Sequence, residues 1–383
     1  MEGTLKNDRR QPGIDAIVTH KVWGMFIFIG VIFIMFQATF YLGKFPMDWI
    51  ELGVEKISGY LAGEMDEGML KDLLIGGIIS GVGGVLVFLP NIIILFLFIA
   101  LMESSGYMAR AAYLMDGVMH KVGLQGVSFI PLIMGFGCNV PAILATKAIR
   151  NRSTRIITIL INPLMSCSAR LPVYLLLVSA FFPRSAGLVL FFIYLSGIIL
   201  AALMALLFRK VLFSNEKHHE KEELPPYKIP ELGNVLSETW EKGEQYLKKI
   251  ATIILAGSII IWGLNYFPHP DNSFLHIFGQ WIEPVMRPLG FDWKISVALL
   301  TGIPAKEVIV SSLQVLNALN TITPASAISL MLFTLIYSPC FATLVAIKNE
   351  TGGWKLALFT AAYTLILAWV IAFFAFHLFS LFM

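Results

Sequence analysis

Three places in this chain combine a cysteine, a ligand for softer metals, with residues that interrupt a helix: Cys138, Cys167 and Cys340. The first lies in Gly135-Phe136-Gly137-Cys138-Asn139-Val140-Pro141. The second lies in Asn162-Pro163-Leu164-Met165-Ser166-Cys167-Ser168-Ala169-Arg170-Leu171-Pro172, and the third in Ser338-Pro339-Cys340-Phe341-Ala342-Thr343. An odd number of thiols with no close pair is not a disulfide framework. Proline and glycine free backbone carbonyls beside each thiol, and discontinuous membrane helices build ion sites in this way. Thiolate and thioether ligands suit first-row transition metals, whereas Mg2+ and Ca2+ want several carboxylates. The candidate pathway or metal set is therefore Cys138, Cys167 and Cys340 with Met134, Asn139, Met165 and Ser168, for Fe2+, Mn2+, Zn2+ or Cu+. The accompanying helix breakers are Gly135, Gly137, Pro141, Pro163, Pro172, Pro304 and Pro339. A single free cysteine in an apolar helix is usually packing. Three of three beside helix breakers favour a pathway.

Charged residues at membrane depth form a second set: Glu103, Arg170, Lys306 and Glu307. Such charges pair with one another or line a route. Lys306 and Glu307, adjacent in sequence, do not face each other on a helix and need separate partners. Arg170, beside the second cysteine, is placed to hold a broken helix end. A structural ion pair and a pathway role are equally compatible with this set. Gly76, Ser80 and Gly84 make a small-residue face for close helix packing. His218-His219-Glu220 reads as a solvated turn.

The elements that must position these residues are membrane helices. Of 383 residues, 57% are hydrophobic and 14% charged, where soluble domains carry about 25% charged residues. Apolar runs near 23–42, 73–102, 127–146, 156–182, 186–208, 250–267, 295–316, 326–347 and 356–382 suit a bilayer. The expected fold is an all-α polytopic membrane protein with about eight spans, broken helices and at least one re-entrant hairpin. Residues 1–22 read as a cytoplasmic tail, 23–208 as a first membrane half, 209–249 as a charged cytoplasmic loop and 250–383 as a second half. Lys6, Arg9, Arg10 and Lys21 favour a cytoplasmic N-terminus, and the acidic stretch 44–72 suits the outside. The basic turn Lys147, Arg150, Arg152 and Arg155 should be inside. One crossing at 73–102 and another at 127–146 would put that turn outside, so 127–146 reads as a re-entrant hairpin. Broken backbone at that depth is tolerated where protein or a hydrated cavity satisfies it. A substrate site is thus implied near 127–146.

Other classes are disfavoured. No G-x-x-x-x-G-K-[ST] stretch exists, so no nucleotide site of that type is expected in this chain. No nucleophile–base constellation appears, and the chain is read as a transporter rather than an enzyme. A net charge of +3 gives no reason to expect nucleic acid.

The chain resembles the membrane (Gate) domain of the ferrous iron transport protein B (FeoB) family. The likeness rests on Glu103-Ser104-Ser105-Gly106-Tyr107-Met108-Ala109-Arg110, Gly135 to Thr146, Asn162 to Tyr174, Ala305-Lys306-Glu307-Val308 and Ser338 to Thr343. Ile347-Lys348-Asn349-Glu350-Thr351-Gly352-Gly353-Trp354-Lys355 adds to it. Ser104-Ser105 stands where the family often has Asp-Ser, and Gly302-Ile303-Pro304 where it often lacks proline. The resemblance implies import of Fe2+ across a bacterial inner membrane through Gate segments near 127–146 and 326–347, with Cys138 and Cys340 on the route. It also implies a cytosolic GTPase as a separate chain or domain, since about twenty residues precede the first span, and any GTP hydrolysis would reside there. A small FeoA-type regulator, membrane lipid and a homo-oligomeric state belong to the same expectation. Transport of Mn2+ or Zn2+, a nucleoside-type Gate transporter and a membrane scaffold remain the other readings.

Overall fold

A computed structural model describes residues 17–20, 22–213, 230–267, 273–304, 306 and 308–381. Among these residues the regular structure is entirely helical. The first helix, α1 (Trp23–Glu64), runs for 42 residues. At about 1.5 Å per residue it is roughly twice the ~30 Å apolar thickness of a bilayer. The span expected at 23–42 thus continues as helix into the acidic stretch 44–72. Pro46 sits inside the helix, and the helix continues beyond it through Glu51, Leu52, Glu55, Lys56, Leu61 and Ala62, all good helix formers, despite three glycines.

The glycine-rich run near residue 76 is neither a short separate segment nor a plain span. It opens as a π-helix, Leu73–Ile79, and continues into α2 (Ser80–Ser104), with Pro90 inside. The glycines admit large neighbours. A methyl at Gly77 would lie 3.3 Å from the Trp262 ring, and one at Gly83 would collide with Val54 at 2.7 Å. Of the expected packing face Gly76, Ser80 and Gly84, Gly76 lies against the Trp262 ring, where an added methyl would sit 3.6 Å from it. The chain then bends by 83° into α3 (Tyr107–Lys121). Gly106 makes the turn at φ 77°, a left-handed conformation that favours glycine.

The remaining helices are α4 (Phe129–Gly137), α5 (Asn139–Ala145), α6 (Arg152–Ile161), α7 (Leu171–Phe181), α8 (Ala186–Leu212) and α9 (Leu232–Tyr266). They are followed by α10 (Phe274–Met286), α11 (Trp293–Thr301), α12 (Val308–Val315), α13 (Pro324–Ile336), α14 (Phe341–Thr351) and α15 (Trp354–Ser380). Five stretches are long and apolar enough to cross a membrane: Trp23–Glu64, Arg152–Phe181, Ala186–Leu212, Pro324–Thr351 and Trp354–Ser380. The bent α2–α3 pair brings them to six among the described residues. This is an all-α polytopic membrane fold. Up to six of the expected eight or so thus appear among the described residues; 127–146, expected as a re-entrant hairpin, folds as the two short helices α4 and α5, and 295–316 as α11 and α12.

The loop expected at 209–249 is helical at both flanks, since α8 persists to Leu212 and α9 begins at Leu232. His218-His219-Glu220 and most of the N-terminal tail lie outside the described residues. The core is a buried apolar cluster drawn mainly from α6, α7, α8, α13 and α15, including Leu160, Tyr174, Ala205, Phe333 and Ala372. α8 turns Leu188, Phe191, Phe192 and Leu203 outward. Apolar side chains exposed along a span are what a lipid-facing helix presents.

Candidate metal pathway at the helix breaks

The breaks fall on or next to the cysteines. Cys138 is the single extended residue between α4 and α5, at φ −154° and ψ 130°. Gly135 and Gly137 lie within α4, and Pro141 stands in the first turn of α5, where its missing N–H costs nothing. These three flank the break rather than cause it. The second break follows α6. A 3-10 turn at Asn162–Leu164 carries Pro163, Cys167 is extended (φ −73°, ψ 160°), and a further 3-10 turn, Ser168–Arg170, leads into α7. Pro172 opens α7. The third break lies between Tyr337 and Cys340. Pro339 occupies it, and Cys340 is the extended residue before α14 (φ −60°, ψ 154°). All three cysteines are partly buried and outside disulfides, and each immediately precedes a helical turn.

Packing and hydrogen bonds draw the three breaks together. Val140 and Ile143 of α5 share a buried apolar cluster with Ala342, Leu344, Ala346 and Ile347 of α14, and both Cys138 and Cys340 pack against it. The Ser168 hydroxyl donates to the Gly137 carbonyl at 2.8 Å and ties the second break to the first. Cys340 Sγ is 3.1 Å from Thr343 Oγ1, one turn further along α14. Beyond the cysteines, α5 and α14 run the same way and are clamped at their far ends. Glu350, with a side chain only 3% exposed, meets Lys147 Nζ at 3.1 Å and Arg155 Nη2 at 2.7 Å.

Two buried cations satisfy carbonyls that the breaks release. Arg170, 1% exposed, donates from Nη1 to the Pro163 carbonyl at 3.1 Å and the Met165 carbonyl at 3.2 Å. Lys306, 2% exposed, donates to the Ser338 carbonyl at 2.6 Å and lies 3.1 Å above the centre of the Tyr337 ring. An unpaired carbonyl at membrane depth costs several kcal/mol, so cations here hold irregular backbone in shape. The Gly302-Ile303-Pro304 turn serves the same break, because Ile303 O accepts the Phe341 N–H at 3.2 Å.

The other expected residues divide. Asn139 and Met165 are buried at the first and second breaks. Met134 lines an apolar cavity with Met35, Met102 and Met108, in a buried cluster against which Cys138 also packs. Glu103 is exposed at the end of α2, by the bend into α3. Glu307 lies outside the described residues. Among the described residues no three His, Cys, Asp or Glu side chains gather as a metal-holding group. A cation at the breaks would therefore meet one or two thiols with hydroxyl, amide or carbonyl oxygens, the partial ligation that a releasable ion needs. Sequence reasoning left out Tyr337, Thr343 and the Glu350–Lys147–Arg155 clamp as site elements. Thr343 stands three residues after Cys340, and that spacing could have signalled it.

An all-α multi-pass bundle with helix breaks packed against one another defines a polytopic membrane protein of the broken-helix class. Residues 85–181 and 247–354 match the Gate family model, described as nucleoside recognition. Residues 190–242 match the C terminus of ferrous iron transport protein B. The chain belongs to the ferrous iron transport protein B family and carries its Gate membrane region. It is 48% identical over 96% of its length to the Fe(2+) transport protein A/Fe(2+) transporter FeoB fusion protein of Porphyromonas gingivalis, of which it covers 51%. It is 41% identical to the Fe(2+) transporter FeoB of Campylobacter jejuni, covering 95% of this chain and 65% of that protein. For the Fe(2+) transporter FeoB of Staphylococcus aureus the identity is 44%, over 94% of this chain and 58% of the relative. The chain thus spans about half to two thirds of the length of these relatives. No solved structure matches the chain.

Proposed function

We propose that this chain forms the membrane pathway of a ferrous iron importer in a bacterial inner membrane, with its N-terminus on the cytoplasmic side. The observation that carries the reading is the shared location of the breaks: Cys138 and Cys340 pack against one cluster, and the second break, with Cys167, is tied to the first through Ser168. Fe2+ entering from outside exchanges water for one or two sulfurs and neighbouring oxygens, then leaves along α5 and α14 toward the basic turn. Incomplete ligation keeps each step reversible, as conduction requires. Relatives named Fe(2+) transporters support iron over Mn2+ or Zn2+.

Arg170 and Lys306 shape the breaks in this reading and do not bind the cargo. A cytosolic GTPase, as another chain or domain, would act on the basic turn 147–155, where the Glu350 clamp closes the far ends of the two Gate helices. A small regulator of the FeoA type is a further partner, supported by the P. gingivalis relative, whose name joins the two proteins in one chain.

The test is uptake of radioactive iron in a host lacking its own ferrous iron transport. Cys138→Ser and Cys340→Ser should each cut uptake at least tenfold while the protein still reaches the membrane. Unchanged uptake in both would remove the thiols from the mechanism. A second reading, nucleoside transport, draws on the description of the Gate family model. Uridine uptake that the chain raises and iron does not compete would favour it.

A further inference from the structure

Two buried amide oxygens beside the first break have no hydrogen-bond partner: Asn139 Oδ1 and Asn162 Oδ1. Asn139 is 5% exposed and Asn162 fully buried. Their placement converges on one point. A Cβ added to Gly135 would stand 3.2 Å from Asn162 Oδ1, 3.4 Å from Asn139 Oδ1 and 3.0 Å from Met165 Cβ. The orientation of Asn162 is fixed, because its Nδ2 donates to the Pro131 carbonyl at 2.9 Å. A carbonyl cannot donate, so the oxygen of that amide must face Gly135. Glycine at 135 keeps open the space that any side chain would fill.

A buried polar atom left unsatisfied costs ~1–3 kcal/mol, and two facing one gap ask for a ligand common to both. The ligand must be a donor or a cation. Two helices end here, α4 just past Gly135 and α6 at Ile161, and their C-termini favour positive charge, against the opposite end of the seven-residue α5 at Asn139. The donors are hard and neutral, since amide oxygens lack the charge of a carboxylate and the softness of a thiol. The cost of burying an ion rises with the square of its charge. Arg170, whose Nη1 holds the carbonyls on either side of Leu164, adds a like charge to the same turn. Both terms penalise a dication more than a monocation.

From this geometry we infer that Asn139 and Asn162, across Gly135, bind a small hard monovalent cation of the Na+ class through their amide oxygens, beside the first break. Occupied, it would fasten the first break to the second, because Asn139 starts α5 and Asn162 closes α6. The site bears on how transport is energised, yet it stands or falls without iron.

The experiment uses the purified full chain in detergent, free of iron, with thermal unfolding followed as NaCl replaces choline chloride at constant ionic strength. Binding to the folded state alone raises the unfolding temperature in a saturable way. Asn139→Leu, which removes one oxygen at similar volume, should raise the midpoint Na+ concentration at least tenfold. Asn162→Leu also loses the bond to Pro131. If either amide variant fails to fold, Gly135→Ala, which pushes a methyl into the gap and keeps both amides, should abolish the Na+ response. Equal unfolding in Na+ and choline overturns the inference, as does a Gly135→Ala or Asn139→Leu protein that responds to Na+ like the wild type. A stronger response to MgCl2 than to NaCl, lost in the same variants, would overturn the monovalent assignment.

Discussion

Removing the charge of Glu350 should loosen the two Gate helices at the end away from the cysteines, and the structure ranks the consequences. Glu350 is almost wholly buried, Arg155 is 29% exposed and Lys147 67% exposed. Breaking a buried ion pair by removing one partner costs ~3–5 kcal/mol, while exposed pairs are worth ~0–1 kcal/mol. Glu350→Gln loses both pairs and leaves two cations side by side. Arg155 can still donate to the Glu350 backbone carbonyl at 3.3 Å, which places the expected loss at the low end, ~3 kcal/mol. Arg155→Gln leaves the carboxylate with Lys147 and should cost about 1–2 kcal/mol. Lys147→Gln removes a largely solvated partner and should cost under about 1 kcal/mol. Unfolding in mixed micelles, read by helix signal against denaturant, gives the order. Lys147→Gln as damaging as Glu350→Gln, or Glu350→Gln without effect, would show that the clamp does not hold α5 against α14.

Arg170→Met leaves the Pro163 and Met165 carbonyls without their donor and should destabilise by roughly 2–4 kcal/mol, measured by the same unfolding. Arg170→Lys, with one compact ammonium, should recover part of that loss. Lys306→Met should destabilise the third break by roughly 2–3 kcal/mol through the Ser338 carbonyl and the Tyr337 ring. Its iron uptake should fall further than that of a surface lysine variant such as Lys210→Met. Ser168→Ala removes the tie to Gly137 and should cost about 1 kcal/mol. Its sharper effect should be faster maleimide labelling of Cys138, and an unchanged rate would separate Ser168 from the site.

Much of the architecture was readable from residue types because the bilayer leaves few options. Long apolar runs must be helices, and clusters of proline and glycine beside the cysteines marked where breaks fall, although Gly135, Gly137 and Pro141 only flank theirs. The expectation that Arg170 holds a broken end follows from the same logic, and its Nη1 meets the two carbonyls that the Asn162–Cys167 break exposes. Apolar length alone did not reveal that α1 would run on through Asp48, Glu51 and Glu55 to Glu64. Charge marks the membrane boundary but does not end a helix. The reverse failure occurred at 295–316, where Gly302 and Pro304 split an apolar run into α11 and α12. Sequence also could not show that Asn162, thirty-one positions from Pro131, would turn its amide toward Gly135. Such meetings depend on the angle at which broken helices return, and no local pattern encodes that angle. Glu350 illustrates the same point, since its partners at 147 and 155 are distant in sequence.

Whether sulfur ever touches the transported ion is best decided by X-ray absorption at the iron edge, on protein loaded with Fe2+ under anaerobic conditions. The thiol pathway predicts a sulfur shell around iron in the wild type that diminishes in Cys138→Ser and in Cys340→Ser. An iron shell of oxygen and nitrogen alone, identical in all three proteins, would contradict it.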